Sequence, residues 1–526
     1  MSSVVLDYLG QWTTTQFLVT AVIVLLILFY YYSTSYLGVW EKVGVPGPKP
    51  LPLLNHMLDL RQGLDAAYQK WFKQYGQTFG VYGIHPHKAT LVTKDLNLIK
   101  EILVKDFENF TVRYRSIETK TNLGKGLSSA TAGTWQRHRH VTNPMFTGVR
   151  MKAMLHHVTA SARNLTELIR QCVERGVLIS IKQISTKFST EVIARVGFGI
   201  YTHPASTEET EFAQYSRTLL NFGNFKMRKS AVTFLYYLPH VYSFLQSFIS
   251  SLDFINSKSD QYFNTIVKAT IDARKRELID ENNARDMLDL LTKASVEDND
   301  IKLTQKGAKK MTEEEIMANS KLLILAGVET IATALQGIMF CLAQHPEVQV
   351  KVVKEVDEVI TDLHNIEYEQ LSQLKYTEQV INEALRLFPL LSYVTRLTKA
   401  TKKYGDITIV KGTVVQIPLG PLMVDPDHWT DPYKFDPDRF TPENKAKRDH
   451  MAYLPFGYGP RICLGQRLAM MELKIVLAYL LKNFQFGLSE RSEPKKGETI
   501  KMELIGSTVM RPQKPVLIEA IKKDVL

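Results

Sequence analysis

The chain has 526 residues, with 65 Lys and Arg against 54 Asp and Glu and a formal net charge of +11; 45% of its residues are hydrophobic and 23% charged. This is ordinary globular usage with enough apolar surface to bury a large core, so disorder along the whole length is excluded, as are collagen-like and low-complexity readings with only 28 Gly and 21 Pro. Three cysteines, Cys172, Cys341 and Cys463, exclude a disulfide scaffold and a CxxC-type zinc site, and the basic excess suits an anionic partner or a membrane surface but is too diffuse for nucleic acid.

From Tyr8 to Trp40 there is no Asp, Glu, Lys, Arg or His, and Phe17 to Tyr32 is the densest apolar stretch. Roughly 20 apolar residues cross the ~30 Å of hydrocarbon in a bilayer. The sequence therefore predicts a membrane anchor over residues 1–42. Tyr30, Tyr31, Tyr32, Tyr36 and Trp40 crowd its far end, where aromatics gather at a lipid–water boundary. The alternative, a cleaved signal peptide, lacks its basic leading region, because only Asp7 precedes the run. Lys42 and Lys49 follow, which predicts a cytosolic body. Residues 43–53 form a hinge: Pro46, Pro48, Pro50 and Pro52 make a stiff connector that cannot be helical and that would set the angle of the body to the membrane. The sequons at Asn109 and Asn164 read as chance on a cytosolic domain.

The body reads as mainly α with a small β-rich subdomain. Gly80 to Thr93 predicts two strands around a His-Pro-His turn, and residues 150–295 predict long periodic helices. Ala231 to Leu252 carries no charge apart from His240 and reads either as a piece dipping into the headgroup layer or as helices packed on the body. A polar loop follows, from about Ser295 to Met311. Thr312 and Glu315 make a capping box for a long apolar helix reaching His345-Pro346, which must run through the middle of the protein. Short strands are predicted at Ile407–Gly412 and Thr413–Pro418, with a hairpin-like end over Lys501–Ala520.

The chemistry centres on the tract Phe456-Gly457-Tyr458-Gly459-Pro460-Arg461-Ile462-Cys463-Leu464-Gly465. A single cysteine stands at the end of a glycine-rich loop just before a helix, whose N–H groups and positive end favour a thiolate. The glycines let backbone approach a flat ligand closely. Such a cysteine suits a nucleophile, a redox thiol or a metal ligand, and spacing alone does not separate the three.

The pattern Phe-x-x-Gly-x-Arg-x-Cys-x-Gly, filled here at every fixed position, resembles the haem-binding loop of the cytochrome P450 superfamily. Further matches come in the expected order. Trp135 to Arg139 resembles the Trp-x-x-x-Arg pair. Ala326-Gly327-Val328-Glu329-Thr330 is similar to the oxygen-activation motif, Glu383 to Arg386 to the Glu-x-x-Arg motif, and Phe435 to Phe440 to the Pro-x-Arg-Phe segment. The chain is most like the animal microsomal family-3 group, which oxidises drugs and steroids. The resemblance implies a P450 fold with an N-terminal transmembrane helix and a haem-thiolate catalytic domain over 54–526. It also implies haem b with Cys463 as axial ligand and metal-binding residue.

By the same resemblance, Trp135, Arg139, Arg396, Phe456, Gly459, Arg461, Gly465 and Ala326 contact the cofactor, with Arg115 a further propionate candidate. Glu383, Arg386 and Arg439 form a buried charge triad behind the cysteine loop, although alone Glu383 and Arg386 read as an ordinary exposed pair. Thr330 and Glu329 deliver protons to bound oxygen; read locally, Thr330 merely bonds back to the carbonyl of Ala326. Ile331 stands where relatives often carry a second hydroxyl. Ile331, Ala334, Leu390, Leu391, Val394 and Val509 are implied to line a lipophilic substrate pocket, and each reads equally as plain core.

The implied activity is a monooxygenase that inserts one atom of O2 into a steroid, lipid or xenobiotic. No flavin or nicotinamide motif is visible, so the implied electron source is a separate NADPH–cytochrome P450 reductase, with cytochrome b5 as a second donor, at the endoplasmic reticulum membrane. Arg137, Lys125, Arg467, Lys474 and Lys482 form the expected basic docking face. The alternatives are a haem-thiolate isomerase or dehydratase acting on a peroxide, a non-catalytic haem-binding protein, and a hydrolase with Cys463 as nucleophile.

Overall fold

The computed structural model describes residues 13–523 apart from 53, 54, 57, 86, 87, 115–118, 202–209, 220–238, 250, 251, 254, 277–285, 297–309, 506 and 507. Arg115, the middle of the predicted polar loop, the tip of the His-Pro-His turn and the first part of the 231–252 segment lie outside the described residues.

Helix α1 is Thr14–Thr34. Thr13 accepts from the N–H of Gln16 while the Gln16 side chain accepts from the N–H of Thr13, so two otherwise unpaired donors are satisfied. None of the stretch Thr14–Tyr32 is buried, and Leu18 and Leu25 are each 63% exposed. So much bare apolar surface on one helix is stable only in an apolar medium.

The end of this segment corrects the sequence reading. Trp40, expected in the aromatic belt, is instead 2% exposed and belongs to the core of the body. Gly38, at φ +86°, turns the chain into the short helix Val39–Lys42, which lies against a strand. The boundary expected between anchor and hinge at residue 42 therefore falls inside a packed turn.

That strand, β1 (Thr78–His85), pairs antiparallel with β2 (Lys88–Thr93), as the alternation of Gly80 to Thr93 predicts. The helical body follows: α2 (Ala132–Thr142), α3 (Gly148–Glu174), α4 (Ile181–Phe198), α5 (Glu313–Gln344), α6 (Lys375–Leu387) and, after two strands, α7 (Gln466–Asn483). The strands β3 (Tyr393–Leu397) and β4 (Val414–Pro418) complete a four-stranded sheet in the order β1-β2-β4-β3. β4 runs parallel to β2, pairing Val415 with Leu91, and antiparallel to β3, pairing Val415 with Arg396.

The central helix α5 starts at the capping box, where Thr312 accepts from the N–H of Glu315 and Glu315 accepts from the N–H of Thr312. Its 32 residues span roughly 48 Å and stop at His345, because Pro346 disfavours helical backbone at the residue before it. Two described helices are long and apolar enough to cross a membrane, but 61% of the apolar window of α5 is buried, which marks it as a core helix. Gly327 brings it close to α4: a Cβ there would stand 2.3 Å from Ile193 Cδ1.

Helix Pro239–Phe248 buries Tyr242 and Gln246 and exposes Phe244 and Phe248, the amphipathic arrangement its sequence allows. At the carboxyl end, Met502–Ile505 and Val509–Pro512 form the expected hairpin. Leu517–Lys522 leaves it: beyond Pro512 and Pro515 the chain pairs instead with Phe484–Gly487 and Ile179–Ser180. Asn109 is buried, its amide donating to the Ala400 carbonyl and the Tyr404 hydroxyl, so its sequon is not on the surface.

Candidate functional site

The cysteine loop is held by backbone. Cys463 N–H donates to the Phe456 carbonyl at 2.9 Å, closing the loop. Gly459 lies at φ +74°, and a Cβ there would fall 2.0 Å from the carbonyl oxygen of Leu103, so only glycine lets the loop pass against residues 101–105. Gly465 caps α7, and the N–H groups of Gly465 and Gln466 point at the Cys463 sulfur. Burial pushes the thiol up, while those two amides and the guanidiniums of Arg113 and Arg139 draw it back down, leaving it above its ordinary range. Cys463 is nevertheless an exposed residue, as is Ala326 in the middle of α5, although the residues on either side of each are half-buried.

Four arginines surround this loop. Arg113 Nη2 donates to the Arg461 carbonyl at 2.7 Å, and Arg139 Nη1 donates to the Ile462 carbonyl at 2.9 Å. Arg461 Nη2 donates to the Ala130 carbonyl at 2.7 Å, and its guanidinium lies 4.6 Å from the ring centre of Trp135. Arg396, on β3, donates among the described residues to the carbonyl of its neighbour Thr395. None of these partners is a carboxylate. Among the described residues, the Nε of Arg396 and the Nε and Nη1 of Arg461 are buried without a hydrogen-bond partner. Burial lowers the affinity of all four for their protons. Repulsion from Arg113 and Arg461 adds to the effect at Arg396, which is held well below its ordinary value, and Arg461 is drawn down to about 9. Buried cations with free donors are costly unless anions meet them. One thiolate donor, a loop that admits a flat ligand and guanidiniums in want of carboxylates fit an iron porphyrin with two propionates.

Spacing alone does not single out Arg113 from the expected candidate Arg115. The two are equivalent by spacing in an extended stretch. The bridge of Val112 to Leu397 brings Arg113 beside β3, and that bridge joins residues far apart in the chain. Phe456 is half-buried against the main core.

Behind the loop, Glu383 and Arg386 are fully buried on α6. Arg386 Nε and Nη2 donate to the two Glu383 oxygens, each at 2.7 Å, and Arg439 Nε lies 3.3 Å from Glu383 Oε1. Arg386 also donates to the carbonyls of Met423 and Pro432, and the N–H of Asp436 donates to Glu383. The exposed-pair reading of Glu383 and Arg386 is thereby overturned. Their network ties α6 to the segment that leads into the cysteine loop.

On α5, Thr330 Oγ1 donates to the Ala326 carbonyl at 2.5 Å, the local bond that the sequence allows. Glu329 accepts from Lys182 Nζ on α4 at 2.6 Å, a partner 147 positions away that no local pattern shows. Ile331 and Ala334 are buried in the main core. Leu390, Leu391, Val394 and Val509 are half-buried, and Leu391 bridges to Val509.

The expected basic docking face is corrected. Lys474 is buried, donating to Glu378 and the Leu371 carbonyl, each at 2.8 Å. Arg137 grips Glu315 with both terminal nitrogens, at 2.6 and 2.7 Å. Lys125 pairs with Glu314, and Lys482 with Asp357. Arg467 remains exposed, its guanidinium near the Phe146 carbonyl. Basic residues counted along a chain give charge but not the carboxylates that the fold sets against them.

A family model described as Cytochrome P450 matches residues 45–519. The chain is 31% identical over 489 residues to "Cytochrome P450 3A2" of Rattus norvegicus and 31% identical over 488 residues to "Cytochrome P450 3A29" of Sus scrofa, covering 93% of each chain in both pairs. It is 32% identical over 488 residues to "Cytochrome P450 3A9" of Rattus norvegicus, again with 93% of each chain covered.

Proposed function

We propose, for a chain that belongs to the cytochrome P450 family, a membrane-anchored monooxygenase that oxidises a lipophilic small molecule (steroid, lipid or xenobiotic) with electrons passed from NADPH by a separate reductase. As a family member it is a haem-thiolate monooxygenase. The observation that carries the reading of this site is the set of buried, unpaired guanidinium donors around one thiolate loop. When bound, haem supplies the oxygen-activating chemistry.

The rest is work for the chain's own residues. Cys463 is the metal ligand, its sulfur steadied by the amides of Gly465 and Gln466. Arg113, Arg139, Arg396 and Arg461, with Trp135, hold the propionates. Phe456, Gly459 and Gly465 shape the loop. The triad of Glu383, Arg386 and Arg439 keeps that loop in register with α6. Thr330 spends its proton on the Ala326 carbonyl, so its oxygen lone pairs remain free to hold a water. Glu329, held beside Lys182, is the carboxylate next to Thr330 in the chain and the residue assigned to proton delivery. The half-buried Leu390, Leu391, Val394 and Val509 orient an apolar substrate. The span α1 anchors the body, which begins with the packed turn at Gly38, at the cytosolic face of the endoplasmic reticulum. Arg467, the docking cation without a carboxylate partner in its described contacts, meets the acidic reductase; cytochrome b5 is a second donor.

The test is substrate consumption by the purified protein with reductase. Oxygenated product that requires both NADPH and O2 supports the proposal. Product formed from a peroxide without NADPH, and none with it, overturns it in favour of an isomerase or dehydratase.

A further inference from the structure

The junction between the span and the body carries more fixed contacts than a tether needs. Tyr82, on the edge strand β1, uses its whole hydroxyl there. It accepts from the N–H groups of Gly38 at 3.1 Å and Trp40 at 3.0 Å, and donates to Glu41 Oε2 at 3.1 Å. One donor and two lone pairs are all that a phenol has. Trp40 Nε1 donates to the Val81 carbonyl at 3.2 Å, and the Trp40 ring lies flat on Gly80, where a Cβ would stand 2.3 Å from it. Gly80 N–H donates to the Pro46 carbonyl at 2.8 Å, and a Cβ on Gly47 would fall 2.0 Å from the Gly80 carbonyl oxygen. One turn nearer the span, the Tyr36 hydroxyl donates to Asn55 Oδ1 at 3.1 Å, and its ring meets Tyr82 edge-on. From Tyr36 to Gly47 the chain is never more than a few residues from a contact with the body.

We propose that Tyr82 latches the foot of α1 to the sheet, so that the catalytic body meets the bilayer at one set tilt, with the β1 edge and the exposed Leu51 turned to the lipid headgroups. Leu51 exchanges two backbone hydrogen bonds with Asn55, the residue that takes the Tyr36 hydroxyl, which places it at the foot of the span. The opposite edge of the same sheet, β3, carries Arg396, so the latch fixes the plane of the site relative to the membrane. The tilt is then set upstream of the prolines, by hydrogen bonds, rather than by proline stiffness. This rests on the reading of α1 as a membrane span.

The experiment uses the full-length holoprotein in oriented phospholipid bilayers and reads the polarised absorption of its haem, with amide exchange at Gly38 and Trp40 as a second readout. The variants are Tyr82→Phe and, as one that leaves the sheet untouched, Glu41→Ala, which removes the acceptor of the Tyr82 hydroxyl. The expected result is one narrow tilt for the parent. Both variants drift toward isotropic absorption, and the two amides exchange up to roughly tenfold faster in Tyr82→Phe, the loss of a hydrogen bond at each. The same tilt in parent and variants overturns the proposal, whether or not exchange rises. A parent protein stripped from vesicles by alkaline carbonate overturns the anchor reading beneath it, a failure distinct from an unchanged tilt in a protein that stays embedded.

Discussion

Replacing Arg396 by methionine should change stability with opposite sign in the presence and absence of haem. Arg396 is 2% exposed, its Nε has no hydrogen-bond partner among the described residues, and its one described bond goes to the adjacent Thr395 carbonyl. Arg113 and Arg461 add repulsion. In the haem-free protein this charge is a burden, and an apolar side chain of similar length should be neutral or stabilising by about 1–4 kcal/mol. With a propionate against it, the same substitution strands a buried anion and should cost about 3–5 kcal/mol. At 1.4 kcal/mol per factor of ten, that weakens haem retention by roughly a hundredfold to a few thousandfold. Urea unfolding of the apo and holo forms gives the two stabilities, and transfer of haem to an excess of an apoglobin gives its release rate. A substitution that destabilises both forms equally, with an unchanged release rate, would refute the assignment of the arginine cluster to a dianionic ligand.

Three other outcomes follow from the geometry. Glu383→Gln leaves Arg386 fully buried with its charge unmatched, so melting of the holoprotein should show a loss of about 3–5 kcal/mol, against a smaller loss for Arg439→Gln, whose side chain is 12% exposed. Lys182→Gln frees the Glu329 carboxylate; the fold should hold, while the ratio of product to NADPH consumed and the solvent isotope effect both change, with Lys182→Arg restoring them. An isotope effect equal to the parent's in Lys182→Gln would show that the ion pair has no part in proton delivery. Burial pushes the Asp65 carboxyl up to about 6 from 3.8, against a weak bond from the Ser392 hydroxyl. Its contribution to stability is thus complete below the unfolded value and is lost as pH rises through about 6. Asp65→Asn should be more stable than the parent by up to about 3 kcal/mol in mildly alkaline buffer, with the gap closing below about pH 4.

What the sequence showed and what it hid divide along a physical line. The capping box of α5, the apolar run of α1, the hairpin of β1 and β2 and the glycines around Cys463 are local devices, whose cause lies within a few residues of their effect. Trp40 looked like a membrane aromatic because composition places an indole at a boundary without saying which side it faces; the turn at Gly38 and the bare surface of Gly80 decide that. Lys474 looks like a surface cation because its partner, Glu378, lies on another helix. Arg113, Lys182 and the strand Leu517–Lys522 were missed for the same reason: each acts through a residue more than 30 positions away. The triad shows the reverse, a pair that looks exposed at its i, i+3 spacing until Asp436, Arg439 and the carbonyls of Met423 and Pro432 close over it.

The central claim is that the Cys463 sulfur binds haem iron inside the arginine cluster. The purified protein, reduced and exposed to carbon monoxide, should show the strongly red-shifted Soret band of thiolate-ligated haem. Cys463→Ser should lose that band while Cys172→Ser and Cys341→Ser keep it. The band persisting in Cys463→Ser, or a colourless parent protein after expression with ample haem, would contradict the account.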